Sequence, residues 1–182
     1  TIRNKEGLTR IQYGVGLAHA YSDPVTCSFD IDDLREATLW LKHRGVDLHA
    51  LLDAPDAVQI ISGKANKAKL LYKLPSSVDP IPSINIRGNG GVVLEFRCGS
   101  KNALTVQDVL PPSIHPDTGE PYQWGGAGTF NILPEMPSVL LDLWQGKVAN
   151  PPPLKPTALS TSISAEADAV LQNLIGMPET PE

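Results

Sequence analysis

Apolar and polar residues alternate along several short stretches of this chain, and such alternation predicts half-buried β-strands. The clearest case is residues 25–32, VTCSFDID, where Phe29 and Ile31 point to one face of the strand. Asp30 and Asp32 point to the opposite face. Further strands are predicted at residues 14–24, 56–62, 68–74, 83–88, 91–99 and 105–113.

A different pattern, DLREATLWLKHRG, follows directly and predicts a helix over residues 33–45. Asp33 is placed to cap its first turn, with Glu36 as the reciprocal partner of a capping box. Basic residues crowd the last turn, where the helix dipole favours cations, and Gly45 ends the helix. Other helices are predicted at residues 47–52, 134–147 and 164–176.

Strands, helices and hairpins are mixed along the chain without a regular strand–helix alternation, which predicts an α+β or mixed-sheet α/β fold. The 182 residues suffice for one domain plus a fragment, and the stretch ANPPPLKP has the composition of a linker. Because the chain begins at Thr1 without methionine, we expect it to be a piece of a longer protein. We predict a main domain, a proline-rich linker and the start of a helical accessory region over residues 1–148, 149–158 and 159–182.

The bulk composition narrows the functional classes. A formal net charge of −5 argues against a large basic surface for nucleic acid, although it leaves room for a local basic groove. Cys27 and Cys98 lack the spacing of a zinc site, and we expect two buried thiols in a reducing compartment. No apolar run approaches the ~20 residues of a membrane helix and no signal peptide is visible, so we expect a cytoplasmic protein with no membrane partner.

The run SFDIDD places three carboxylates in four positions, and strand parity divides them. Asp33 has a local role as the helix cap. Asp30 and Asp32 remain as two like charges on one strand face, where each raises the pKa of the other unless a cation intervenes. A divalent hard metal such as Mg²⁺ or Mn²⁺ is the usual resolution. The alternative is an edge strand with a solvated acidic face.

The stretch VVLEFRCG repeats this pattern, with Glu95 and Arg97 on one face and apolar residues on the other. Charged groups inside an apolar strand need partners. One interpretation is a surface ion pair between the two side chains, which contributes little stability. The other makes Glu95 a third metal ligand from a neighbouring strand, with Arg97 facing phosphate.

The hairpin SGKANKAKLLYKL is the most basic part of the chain, with Lys64, Lys67, Lys69 and Lys73. These lysines form either an ordinary solubilising face or a cradle for triphosphate or template phosphates beside the acidic pair.

The loop LPPSIHPDTGEPYQW is stiffened by Pro111, Pro112 and Pro116. A rigid loop that presents Ser113 and His115 suits a binding site, although a proline-braced loop with a half-buried histidine explains the pattern equally. The other histidines have structural explanations at strand and helix ends: His19, His43 and His49.

Taken in order, these motifs resemble the archaeo-eukaryotic primase superfamily, and most of all the bifunctional primase–polymerase domains of phages, plasmids and mobile elements. The resemblance rests on the glycine-rich strand GVGLAHAYS, the acidic strand FDID, a Ser-Gly hairpin, the strand VVLEFRCG and the segment LPPSIHPDTGEPYQW. It covers residues 13–124. Two positions depart from the family pattern: Lys69 stands where the family often has histidine, and Glu95 replaces the commoner aspartate.

The resemblance implies a catalytic core with a mixed sheet like that of an RNA-recognition motif, next to a small α/β subdomain. It also implies template-directed nucleotidyl transfer by a DNA primase/polymerase in the replication of a phage, plasmid or other mobile element. Two Mg²⁺ or Mn²⁺ ions would be held by Asp30, Asp32 and Glu95. The nucleoside triphosphate would be contacted by Lys64, Lys69, Arg97, Ser113 and His115, and the DNA by Lys67.

The implied partners are a single-stranded or primed DNA template, nucleoside triphosphates and a helicase domain or protein. Two alternatives stay open. A non-catalytic primase-like replication module that binds single-stranded DNA or an origin is favoured by Lys69 in place of histidine. A metal-dependent phosphohydrolase or nuclease would use the same carboxylates.

Overall fold

The computed structural model of the protein describes the backbone of residues 2–3 and 9–10 and the chain over residues 14–146. The predicted linker at 149–158 and the predicted helical region at 159–182 lie outside the described residues and stay predictions.

Within those residues the chain forms strands, three α-helices and one short 3-10 turn. In chain order they are β1 (Ile2–Arg3), β2 (Thr9–Arg10), β3 (Val15–Ala18), the 3-10 turn (His19–Tyr21), β4 (Thr26–Ile31), α1 (Leu34–Lys42), α2 (Leu48–Leu52), β5 (Val58–Ile61), β6 (Ala68–Lys73), β7 (Ile84–Gly88), β8 (Gly91–Arg97), β9 (Gln107–Leu110), β10 (Gln123–Gly125) and α3 (Ser138–Trp144).

The main sheet has six strands in the order β10-β5-β6-β4-β8-β7. Each pair of neighbours is antiparallel, whereas a mixed sheet was expected. The strands β4 and β5, which α1 and α2 connect, do run parallel to each other, but β6 returns through a hairpin and lies between them. This is a split β-α-β arrangement. The α+β class is confirmed.

One face of this sheet carries the hydrophobic core. Phe29 and Ile31 of β4 are fully buried, as their strand parity predicted. The ring of Phe29 packs 4.8 Å from that of Phe96 on β8, which lies 5.4 Å from the ring of Trp144 in α3. The three helices therefore cover the apolar face, and the charged side chains of β4 are left on the opposite face.

A second, two-stranded sheet lies on that charged face. It pairs β3 with β9 antiparallel, so that Leu17 stands opposite Asp108. The strand predicted at residues 105–113 forms as β9 over Gln107–Leu110 and pairs with β3. The strand predicted over 14–24 ends at Ala18 and continues as the 3-10 turn. The strand β10 formed inside a predicted loop, because it extends the edge of the main sheet next to β5.

The predicted helices at 33–45 and 47–52 are confirmed as α1 and α2. The helix predicted over 134–147 forms as α3 only over Ser138–Trp144, because the backbone of Pro134 and Met136 is hydrogen-bonded to Lys73 at the end of β6. Asp33 caps α1 by accepting a hydrogen bond from the backbone N–H of Glu36 at 2.9 Å. The reciprocal half of the predicted capping box is replaced, because the N–H of Asp33 donates to the carbonyl oxygen of Val93 at 3.1 Å. Over the described part of the chain, no helix combines the length and the apolar character that crossing a membrane requires.

The two cysteines are buried and unpaired, as expected. Burial raises the pKa of the Cys27 thiol well above its usual range, and it also raises the pKa of the Cys98 thiol. Both side chains are therefore inert members of the core.

Candidate functional site

The register of three strands brings opposite charges into one row on the exposed face of the main sheet. Asp30 on the central strand β4 stands directly opposite Lys69 of β6 on one side and Glu95 of β8 on the other. Residues opposite each other in an antiparallel pair point to the same face. Because β4 is flanked on both sides, the alternative of a solvated edge strand is excluded.

An open pocket of about 190 Å³ lies at the end of this row. Of the nine residues that the sequence proposed as site residues, six line it: Asp30, Asp32, Lys64, Lys67, Lys69 and His115. The remaining lining residues come from β5, the hairpin and the proline-braced loop: Ile60, Ser62, Ala68 and Tyr122. The fold therefore gathers acidic and basic groups in one cleft.

Two lysines of the hairpin form ion pairs with carboxylates outside it. Lys67 Nζ lies 2.5 Å from Oδ1 of Asp32, and Lys64 Nζ lies 2.6 Å from Oδ2 of Asp117. These side chains are partly or largely open to solvent, so the pairs exchange easily with water or an incoming anion.

Behind the pocket, Asp108 of β9 is the centre of a buried hydrogen-bond network. Its side chain is only 2% exposed. Oδ1 accepts from Lys69 Nζ and from Arg97 Nε, each at 2.9 Å. Oδ2 accepts from His19 Nε2 at 2.9 Å and from the hydroxyl of Ser28. Four donors on one carboxylate fasten the small sheet to the main sheet.

Burial alone would raise the pKa of Asp108, but the hydrogen bond from His19 and the charges of Lys69 and Arg97 outweigh it. The pKa of this carboxyl is therefore held well below its usual range, and Asp108 is ionised. An ionised carboxylate only accepts hydrogen bonds, so Nε2 of His19 carries the proton that bridges them.

His19 extends the network away from the pocket. Its Nδ1 lies 3.0 Å from the hydroxyl of Thr26, which lies 2.9 Å from the hydroxyl of Ser22. The interpretation of His19 as a strand-end residue missed this role: the side chain is fully buried and connects the 3-10 turn to β9.

Asp108 was missed as well, although a signal for it exists in the sequence. In TVQDVL, Asp108 falls on the same strand face as Val106 and Leu110, whereas Val109 on the other face is 43% exposed. A carboxylate at an apolar position of a strand is expensive to bury unless it has several partners. Strand parity applied to β9 would have identified it.

Glu95 and Arg97 are paired, but they are not an ordinary surface pair. Arg97 Nη1 donates to Oε2 of Glu95 at 2.6 Å, and Arg97 Nη2 donates to the carbonyl oxygen of Gln107 at 3.1 Å. The side chain of Arg97 is 24% exposed and that of Glu95 is 15% exposed. Neither residue lines the pocket, and Arg97 connects Glu95 to Asp108.

The proline-braced loop contributes His115 and Tyr122 to the pocket, and it uses Ser113 to hold its own position. The hydroxyl of Ser113 is buried and accepts from the backbone N–H of Val15 at 2.7 Å. Nδ1 of His115 accepts from the backbone N–H groups of Asp117 at 3.1 Å and Thr118 at 3.3 Å. The proton therefore sits on Nε2 of His115, which leaves that nitrogen as a donor for a ligand in the pocket.

A sequence model described as "Bifunctional DNA primase/polymerase, N-terminal" matches residues 4–138. The chain belongs to this Prim-Pol family. No curated protein and no solved structure matched it. The matched range contains all nine proposed site residues, and membership supports a function of DNA primase/polymerase type.

In the Prim-Pol pocket Asp30 and Lys69 form an ion pair, with Oδ2 and Nζ 2.9 Å apart. Burial raises the pKa of Asp30 above its usual range even though Lys69 opposes the shift. Burial lowers the pKa of Lys69, but Asp30 and Asp108 outweigh it and raise the pKa overall. The ammonium group is therefore charged at neutral pH.

The residues present fit a divalent cation that is shared with a substrate. No three Asp, Glu, His or Cys side chains of the described chain lie close enough together to form a metal site of their own. Asp30 and Asp32 nevertheless line one pocket, and Mg²⁺ is commonly held by one or two carboxylates together with substrate phosphates. Lysines in the same pocket suit those phosphates.

Proposed function

We propose that this Prim-Pol domain catalyses template-directed nucleotidyl transfer on single-stranded or primed DNA. The observation that carries the proposal is the pocket itself, in which Asp30 of β4 and Asp32, just after that strand, face three lysines of the hairpin. Carboxylates for a hard cation and cations for phosphate are the two groups that phosphoryl-transfer chemistry needs.

In this proposal Asp30 and Asp32 hold the divalent cations, Mg²⁺ or Mn²⁺, with Glu95 as the third carboxylate. When bound, such ions lower the pKa of the attacking hydroxyl and neutralise the phosphates during an in-line displacement. Glu95 stands beside Asp30 on the next strand, and Arg97 fixes its carboxylate at 2.6 Å.

The triphosphate is bound by the basic side of the pocket. Lys64 and Lys69 contact its phosphates as point charges, and Nε2 of His115 donates a hydrogen bond to phosphate or sugar. Lys67 is 39% exposed and contacts the template backbone. Ser113 acts by holding the loop against β3, because its hydroxyl is already bonded to Val15.

The biological setting follows from the resemblance of the motifs. We propose a role in the replication of a phage, plasmid or other mobile element, together with a helicase domain or protein. A helical accessory region at residues 159–182 would assist initiation.

The second candidate is a non-catalytic replication module that binds single-stranded DNA. One observation favours it: each of the three proposed ligand carboxylates already has a cationic partner, namely Lys69, Lys67 or Arg97.

A single assay distinguishes the candidates. The chain is incubated with labelled ribo- or deoxyribonucleoside triphosphates and Mg²⁺ or Mn²⁺, with a primed template and with an unprimed one. A polymerase extends the primer, a nuclease shortens the template, and a binding module retards the DNA without changing its length. Absence of incorporation with both metals and both sugars, while the DNA is still bound, would contradict the proposed activity.

A further inference from the structure

Lys69 lies between two carboxylates that belong to different sheets. Its Nζ is 2.9 Å from Oδ2 of Asp30 on β4 and 2.9 Å from Oδ1 of Asp108 on β9. Asp30 is 22% exposed toward the pocket, whereas Asp108 is 2% exposed. One ammonium group thus connects the open pocket to the buried network.

The two carboxylates depend on Lys69 to different degrees. Asp108 also accepts hydrogen bonds from Arg97, His19 and Ser28. These three hydrogen bonds do not depend on the position of Lys69. Among the ion pairs of the described residues, Lys69 is the sole partner of Asp30. Removing Lys69 from Asp30 therefore leaves a carboxylate in the pocket ready for another cation.

We propose that Lys69 is an internal counter-ion of the Asp30–Asp32 site. It neutralises Asp30 in the metal-free protein and releases it, while staying bonded to Asp108, when a divalent cation binds. This inference rests on the proposed function, since it takes Asp30 as a metal ligand. Lys69 keeps its proton throughout: the ion pair with Asp30 breaks and the one with Asp108 remains.

The geometry permits this exchange at small cost. The ammonium of lysine is a compact charge on a flexible stem, with three donors that rotate independently. A divalent cation at Asp30 repels it, and Asp108 offers a charged acceptor already within hydrogen-bond distance. The consequence is competition: as long as Lys69 is present, the metal site is weaker than its carboxylates alone would make it.

The test is a Mn²⁺ titration of the whole chain without nucleotide or DNA, in which electron paramagnetic resonance measures free Mn²⁺. Lys69→Gln keeps hydrogen-bond donors but removes the charge, and we expect it to tighten Mn²⁺ binding about tenfold. The matched control is Lys64→Gln, which makes the same charge change in the same pocket but contacts Asp117. It should change the affinity less than about threefold, because solvent and salt screen it.

Equal effects of Lys69→Gln and Lys64→Gln, or weaker binding in Lys69→Gln, would overturn the inference. Circular dichroism verifies that each variant is folded. If Lys69→Gln does not fold, Asp108→Asn replaces it in the titration. Lys69 then stays on Asp30 because its second acceptor has lost its charge, and Mn²⁺ binding should weaken at least threefold. An unchanged Mn²⁺ affinity of Asp108→Asn would contradict the inference.

Asp30→Asn separates this inference from the proposed function. If Asp30→Asn binds Mn²⁺ as the unmodified chain does, or if no form of the chain binds it, the metal site itself is wrong and the counter-ion role fails with it. If Asp30→Asn loses binding while the two lysine variants behave alike, the metal site stands and only the role of Lys69 is refuted.

Discussion

The charged groups on one face of the main sheet lie in two different environments. We call them the buried end, around Asp108, and the open end, around the pocket. At the buried end, Asp108 is 2% exposed and accepts hydrogen bonds from four side chains. At the open end, Asp32 and Lys67 are 30% and 39% exposed and form a simple ion pair. A buried charge must be fully satisfied within the protein, whereas an exposed one remains free to exchange partners.

This difference separates stability from chemistry. The buried end holds two sheets in register and should tolerate little change, and the open end can accept a ligand because its pairs cost little to break. Lys69 belongs to both ends, since it contacts Asp30 and Asp108. Variants at each end should therefore change different properties.

The largest effect is expected at the open end, on activity. Asp30→Asn and Asp32→Asn remove carboxylates that we propose as metal ligands, and each should lower nucleotide incorporation at least ~1,000-fold, about 4 kcal/mol of transition-state stabilisation. Both variants should remain folded. Primer extension with Mn²⁺ measures the loss, and Asp117→Asn, which removes a carboxylate contacting Lys64, serves as the control. Undiminished extension by the Asp30 and Asp32 variants would refute the metal assignment.

The next effect is on stability, at the buried end. Asp108→Ala leaves Lys69, Arg97 and His19 without their shared acceptor, and breaking a buried charged network costs about 3–5 kcal/mol. The melting temperature, followed by circular dichroism, should fall by about 6–20 °C. Lys64→Ala at the open end should change it by less than about 2 °C. A comparable loss in both variants would remove the distinction between the two ends.

The pH dependence of stability should have opposite signs at the two ends. Asp108 has a lowered pKa when folded, so below about pH 4 the unfolded chain takes up the proton and stability falls. Asp30 has a raised pKa when folded, so the folded chain takes up its proton first as the pH falls, which opposes that loss.

Urea unfolding between pH 6 and pH 3 checks these signs. The acid loss of stability should be shallower in Asp108→Asn than in the unmodified chain, and steeper in Asp30→Asn. Identical slopes in all three proteins would show that neither carboxylate has a shifted pKa.

The smallest effect concerns the third carboxylate of SFDIDD. Asp33→Ala removes the cap of α1 and should lower the melting temperature by about 2–4 °C, with incorporation per folded molecule retained. The thermal melt and the extension assay are run on the same preparation. A loss of activity as large as that of Asp30→Asn would mean that all three aspartates serve the site.

Much of the fold could be predicted because its signals are local. The alternation along VTCSFDID correctly predicted which face of β4 is buried, and the cap at Asp33 follows from its position before the helix. The positions of the small sheet and β10 could not be predicted, since the partner of an edge strand depends on which surfaces remain unpaired after the chain has folded.

The candidate site divides in the same way. Residue types and spacing were sufficient to choose Asp30, Asp32 and the hairpin lysines, because like charges on one strand face demand a partner. His19 and Asp108 are 89 positions apart in the chain, and only the packing of the β3–β9 sheet on the main sheet brings them within 2.9 Å. The local sequence thus determines which charged groups are candidates for the site. Contacts between distant segments determine which of them are buried, and burial decides whether a charge stabilises the fold or stays open to a ligand.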